Sequence, residues 1–189
     1  MLKLPKTIII YDTEFTAWEG SMDRGWSREG EYREVVEIGA IKVETNKLIE
    51  TNKLDLYVRP EKNPKLSNFF ITLTGITQVT LDQKGISYPE AIQKFAAWTE
   101  ETPLFSFGMD HDVLRANCEL LEIPFPFKEE RFHNIKDVFS KYGIAADQYM
   151  SSTIVEAFGK KSKEQAHNAL GDARTILAAL RELAKSIQS

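Results

Sequence analysis

Thr7-Ile8-Ile9-Ile10-Tyr11-Asp12-Thr13-Glu14 decides how the rest of this chain is read. Thr7 to Tyr11 is β-branched and apolar, which predicts a buried strand. The run then stops on two acids. Side chains alternate along a strand, so Asp12 and Glu14, two apart, point the same way. Two carboxylates at the end of a buried strand repel each other without a cation, and an oxygen-rich site of this kind suits magnesium or manganese. An acid-x-acid pair is also common, and a strand ending in a polar, solvated turn explains it equally well when it stands alone.

Working outward, Val35 to Val43 reads as a second strand and Leu54 to Val58 as a third. Between the first two lies a long polar loop, Thr16 to Arg33, carrying Trp18, Arg24, Trp26 and Arg28. Loops of that length in a compact domain are more often functional than idle, and this one has the residues for a flap that stacks on bases and touches phosphates. Tyr88 to Glu100 has helical spacing, with Ala91, Ile92, Phe95 and Trp98 on one face. Leu104 to Phe107 is a short strand, followed by a helix through Val113, Leu114, Cys118 and Leu121 that Pro124 and Pro126 close. Phe132 to Ile135 reads as a fifth strand, with a helix from Lys136. The last helix runs from about Asn168 to Ile187 on a stripe of Ile176, Leu177, Leu180 and Leu183. Strands first, then helices interleaved with strands, predict an α/β fold: a mixed sheet with helices packed on it.

Two more acidic motifs fit the first. Ser106-Phe107-Gly108-Met109-Asp110 leaves the fourth strand and turns into a helix, placing Asp110 where the helix dipole favours a carboxylate. A helix cap is its plain alternative, and Asp112 is its rival for a ligand role. Val113 and Leu114, three and four residues on, favour Asp110 as inward-facing. His167 and Asp172 form the third motif. On one continuous helix a five-residue offset separates side chains by about 140°. The two converge only if His167 lies in the approach to the helix, and Asn168 as N-cap produces that geometry. The Ser162-x-x-Gln165 box would start the helix earlier. A histidine at the mouth of a carboxylate cluster can deprotonate water near neutral pH. His111 and His133 are given no such role.

Bulk composition sets the frame. The 189 residues suit one domain spanning 1–189 with a substantial core. A net charge of -4 argues against a broad basic surface for duplex nucleic acid. It leaves room for a small site where metal ions offset phosphate charge. Cys118, the single cysteine, has no internal partner, which fits a reducing compartment. The apolar part of Met1–Lys6 is too short for a signal peptide, no run has the length of a membrane span, and a cytoplasmic protein is expected. The basic run Lys160-Lys161-Ser162-Lys163 is either a phosphate contact or a solvated loop.

Taken together, Asp12-Thr13-Glu14-Phe15, Asp110 after a serine-aromatic-glycine, and His167 with Asp172 resemble the DEDDh (DnaQ-like) family of 3'→5' exonucleases in order and approximate spacing. Glu34-Val35-Val36-Glu37-Ile38-Gly39-Ala40 is similar to that family's second strand, and Leu73-Thr74-Gly75-Ile76-Thr77 to its substrate-side turn. The pattern is most similar to the subgroup of histone-mRNA and small-RNA 3' exonucleases and its short bacterial members. The spacing from Gly108 to Asp110 is tighter than in the eukaryotic members.

The resemblance implies an RNase H-like fold with a mixed five-stranded sheet flanked by helices. It implies two Mg2+ (or Mn2+) ions held by Asp12, Glu14, Asp110 and Asp172, with His167 as general base. It places Phe15 and Thr16 against the terminal nucleotide, and Leu73 and Thr74 at a wedge between the last two bases. The expected activity is 3'→5' hydrolysis of single-stranded nucleic acid, RNA over DNA, releasing nucleoside 5'-monophosphates as activity rises through about pH 6–8. The rival readings are a nucleic-acid-binding or regulatory protein of the same fold, and a DNA proofreading or trimming exonuclease. The expected partners are single-stranded RNA or DNA 3' ends and no membrane.

Overall fold

The Ile8–Ile10 run forms the middle of a five-stranded sheet. A computed structural model describes residues 2–188; Met1 and Ser189, which open and close the expected 1–189 domain, lie outside the described residues. The strands are β1 (Thr7–Phe15), β2 (Val35–Glu44), β3 (Ile49–Tyr57), β4 (Leu104–Ser106) and β5 (Phe132–Asn134). Their order across the sheet is β3-β2-β1-β4-β5. β1 to β3 form an antiparallel meander, while β4 and β5 add in parallel on the other side of β1. The mixed sheet is therefore as expected, with β1 at the switch between its two halves.

Among the described residues six α-helices accompany the sheet: α1 (Asn68–Thr74), α2 (Gln78–Lys84), α3 (Tyr88–Thr99), α4 (Asp110–Leu120), α5 (Ile135–Ser140) and α6 (Ala169–Gln188). Alternation along β1 divides the core between the two faces. Ile8 and Ile10 join Ile41, Val43 and Phe105 under α5 and α6, where Ile176, Leu177, Leu180 and Leu183 are all buried. Ile9 and Tyr11 join Ile38, Ala40 and Leu104 under α3 and α4. Each fully buried isoleucine contributes about 1.5–3 kcal/mol relative to exposure, which fixes the register of β1.

Three expectations need correction. β1 does not stop at Tyr11: Asp12 pairs with Gly39 and Glu14 with Glu37, so both acids sit inside the ladder. β3 starts at Ile49 rather than Leu54, because pairing with β2 carries the polar Thr51-Asn52-Lys53 at an edge where no apolar pattern marks it. The short helices α1 and α2 were not anticipated. Ser67 and Thr77 nucleate them as N-caps, accepting from the backbone N–H of Phe70 and Thr80. The Ser162-x-x-Gln165 box does not open α6. The Ser162 hydroxyl accepts from Glu164 N and bonds the Thr175 hydroxyl, while the Gln165 amide donates to the Thr74 carbonyl.

Candidate active site

On the α6 face of β1 the alternating pattern changes chemistry halfway along. Ile8 and Ile10 are core, and the next two residues on that face are Asp12 and Glu14, 6% and 8% exposed. The start of α6 lies directly over them. Gly39, opposite Asp12, makes this approach possible: a Cβ there would stand 2.0 Å from Leu170 N and 2.3 Å from Ala169 C. Glu37, fully buried and opposite Glu14, accepts from Asn168 Nδ2 (2.8 Å) and Ala169 N (3.0 Å). The Asn168 side-chain oxygen in turn accepts from Gly171 N at 2.9 Å, so Asn168 is the N-cap.

This clamp fixes the residue just before it. His167 holds φ 58°, a left-handed conformation unusual outside glycine. That bend brings its imidazole beside Asp172, which sits in the first turn of α6. Ligand atoms of Glu14, His167 and Asp172 lie within 4.8 Å of one another. Asp110 is the first residue of α4 and is buried. Its Oδ1 accepts from the backbone N–H (2.9 Å) and hydroxyl (2.7 Å) of Thr13, the residue between the two β1 acids. Asp110 lines the cleft and Asp112 is exposed on α4. Asp12, Glu14, Asp110, His167 and Asp172 all border one cleft of about 300 Å³.

The electrostatics are those of crowded, dehydrated acids. Burial, followed by the charges of Asp110, Asp172 and Glu14, pushes the Asp12 carboxyl well above its ordinary range. Burial and the charges of Asp172, Glu37 and Asp110 do the same to Glu14. Asp110 is raised by burial to about 6, against the opposing hydrogen bonds from Thr13. Asp172 is raised by burial to about 7, against a hydrogen bond from Ser151. Burial lowers His167, which favours the neutral imidazole. A bound cation relieves every one of the carboxylate shifts.

The donor set fits such a cation on the structure's own terms. The carboxylates are oxygen donors of the kind hard divalent ions take. Asp172 Oδ1 is buried and accepts no hydrogen bond. An acid cluster with an unused, buried oxygen pointing nowhere else has vacant donor capacity.

The substrate-side expectations divide. Phe15 and Leu73 line the cleft. Thr16 and Thr74 are buried behind it, outside the cleft lining, and their hydroxyls serve the backbone. Thr16 Oγ1 donates to the Tyr32 carbonyl and accepts from Glu34 N. Thr74 Oγ1 donates to the Phe70 carbonyl and accepts from Ile76 N. Of the long loop, Trp26 reaches the cleft and packs on Phe15 at 5.4 Å between ring centroids. Arg24 is held within the loop by Glu31 and the Glu19 carbonyl. The Lys160–Lys163 run borders a different cavity beside α6, with Arg174 and Arg181.

Sequence reasoning missed six contributors. Ser151 bonds Asp172 Oδ2 at 3.3 Å, and Lys136 is the cleft's one lysine or arginine among the described residues. Glu37 was read only as part of the second strand and given no role, although an acid in an otherwise apolar run is itself a signal. Met22, Met109 and Met150 carried no pattern at all.

A sheet whose switch strand carries paired acids, under a helix that delivers histidine and aspartate, has the donor set of a site that could hold divalent cations for hydrolytic chemistry. Comparison with known proteins narrows this. The exonuclease family model RNase T matches residues 9–180. A protein of Bacillus subtilis strain 168 described as "Probable 3'-5' exonuclease KapD" is 31% identical over 175 residues, covering 89% of this chain and 80% of that protein. Human 3'-5' exoribonuclease 1 is 26% identical over 180 residues, covering 89% of this chain and 50% of that protein. The chain thus spans about half the length of that relative. The nuclease domain of 3'hExo, described as a DEDDh family member bound to rAMP, superposes with a TM-score of 0.81 at 26% identity, covering 97% of this chain and 94% of that one. The chain belongs to the RNase T exonuclease family, as a 3'→5' exonuclease of the DEDDh type.

Proposed function

We propose that this chain shortens single-stranded nucleic acid from its 3' end, RNA in preference to DNA, releasing nucleoside 5'-monophosphates. Two magnesium or manganese ions would be held by Asp12, Glu14, Asp110 and Asp172. The observation that carries this reading is the clamp that sets His167 beside Glu14 and Asp172. When bound, the ions supply charge stabilisation to the attacking and leaving oxygens.

The chain's own residues supply the rest. Burial favours the neutral form of the His167 imidazole, the form that can take a proton from the attacking water. The water oxygen bonds to the last phosphorus as the bond to the preceding nucleotide's 3'-oxygen breaks. That oxygen takes a proton from a solvent water and leaves as a hydroxyl, the resulting hydroxide is neutralised by the proton His167 gives back to solvent, and the nucleotide departs with its 5'-phosphate. Phe15, backed by Trp26, offers the terminal base an aromatic face that tolerates any sequence. Leu73 would separate the last two bases; its 37% exposure at the cleft supports that role. A duplex end must fray to enter, which favours unpaired strands.

RNA preference is supported by the relatives' names. The rat, human and mouse proteins are exoribonucleases, and one similar structure, at 25% identity, concerns 3'-end recognition of a histone mRNA stem-loop. The test is product analysis on matched RNA and DNA 12-mers with a 3'-hydroxyl. Nucleoside 5'-monophosphates, formed faster from RNA, support the reading. Nucleoside 3'-monophosphates, or faster release from DNA, overturn the corresponding half of it.

A further inference from the structure

Three methionines from distant parts of the sequence meet at the mouth of the acid cleft. Met22 comes from the long loop after β1, Met109 from the junction of β4 and α4, and Met150 from the segment before the short turn Ile154–Phe158. They are 68%, 48% and 53% exposed. The chain has four methionines, and the fourth is Met1. Every methionine among the described residues therefore stands at this rim, beside the exposed Leu73. Scattered surface apolar residues are ordinary, but convergence on one opening marks a binding surface.

The chemistry of the opening says what it binds. Its floor is four carboxylates, and the lining has one lysine, Lys136, itself paired with Asp147 at 3.0 Å. Lys136 and the Arg33 guanidinium beside Met109 and Trp26 are few cations for a phosphate chain over an acidic floor, so the bases are the larger source of affinity. A thioether is unbranched and polarisable, and it makes favourable contacts with aromatic faces of varied shape. Nucleobases present such faces whatever the sequence. Met109 is steadied for this by Arg33, whose Nη1 lies 3.4 Å from its sulfur.

We propose that Met22, Met109 and Met150 form, with Leu73, a collar that grips the unpaired bases next to the 3' end without reading sequence. The collar rests on the exonuclease reading for its ligand, but its test is binding. Binding of a 5'-fluorescein RNA octamer is followed by anisotropy in EDTA, where no turnover interferes. KM and kcat are then measured with manganese. Replacing all three by glutamine (M22Q, M109Q, M150Q) keeps the length and adds a polar amide. Octamer affinity falls about tenfold or more, and KM rises by a similar factor, while kcat at saturation changes less.

Hydrogen peroxide gives a second arm. Each thioether sulfur takes one oxygen atom from peroxide as the O–O bond breaks, leaving water and a polar sulfoxide. Cys118, the one thiol, is buried, so the exposed thioethers meet the oxidant first. Treated wild type loses affinity, and methionine sulfoxide reductases with a thiol restore it. A triple Met→Leu variant loses nothing further on treatment.

A glutamine variant with an unchanged melting temperature and wild-type affinity overturns the collar, as does peroxide sensitivity that persists in the leucine variant. Wild type that fails to bind the octamer overturns it too. The two readings separate cleanly. Wild type that hydrolyses RNA with a KM indifferent to the glutamines sinks the collar alone. Binding lost in the glutamine variant of a protein that hydrolyses nothing sinks the exonuclease reading alone.

Discussion

Asp172→Asn should make the metal-free protein more stable, and the gain should depend on pH. In the folded chain burial raises the Asp172 carboxyl from 3.8 to about 7. For a raised carboxyl the sign is unfavourable when ionised. At about pH 4 and below, the group is protonated in both states and costs nothing. The penalty grows as pH rises through the interval and is complete above about pH 7. Three pH units at about 1.4 kcal/mol each give an upper bound of about 4 kcal/mol. Asp12, Glu14 and Asp110 share the same repulsions, so one neutralisation recovers about half, ~2 kcal/mol. For a chain of this size that is a rise in Tm of about 4–8 °C. The assay is thermal unfolding in EDTA at pH 8, repeated in steps down to pH 4. The gain should be largest at pH 8 and shrink towards zero at pH 4, and manganese should raise the Tm of wild type more than that of the variant. A variant that melts at or below wild type at pH 8, or a gain that ignores pH, would refute the reasoning.

Other substitutions probe the parts around that cluster. His167→Asn should lower kcat by about 10²–10⁴ with little change in Tm, because proton removal goes and the fold does not. Burial lowers His167, so the acid limb of the wild-type pH–rate profile should have its midpoint below 6.5. The limb should flatten in the variant. Gly39→Ala puts a methyl 2.0 Å from the Leu170 nitrogen and should cost about 1–3 kcal/mol in urea unfolding, with activity falling further as α6 lifts His167 and Asp172. Trp26→Ala removes the ring behind Phe15 and should raise KM for single-stranded RNA several-fold; an unchanged KM would rule out the flap.

Much of this architecture was legible because its signals were periodic. The isoleucine run and the α6 stripe bury what their spacing says, the α3 face does so at Ala91, Ile92 and Phe95 while Trp98 is only partly buried, and the chain order of strands and helices gave the mixed sheet. The acids were legible as chemistry, since paired carboxylates on one strand face have few uses. Asp110 over Asp112, and Asn168 as the cap that frees His167, were both open choices that packing decided. What stayed hidden has a common physical reason. α1 and α2 are too short for periodicity and rest on single capping hydroxyls. The start of β3 depends on a partner strand. Thr16 and Thr74 sat next to residues that face the cleft, and only their hydrogen bonds reveal that they face away. Glu37 clamps a segment that lies 131 positions away in sequence, a distance no local pattern spans.

The most direct test is hydrolysis of 5'-labelled single-stranded RNA and DNA of matched sequence, with magnesium or manganese, by wild type and Asp12→Ala. A ladder that shortens from the 3' end, needs the metal and vanishes in the variant is the predicted result. No shortening of either strand under both metals, by a protein that folds, would contradict a catalytic role for the acid cluster and leave a nucleic-acid-binding or regulatory protein built on the same fold.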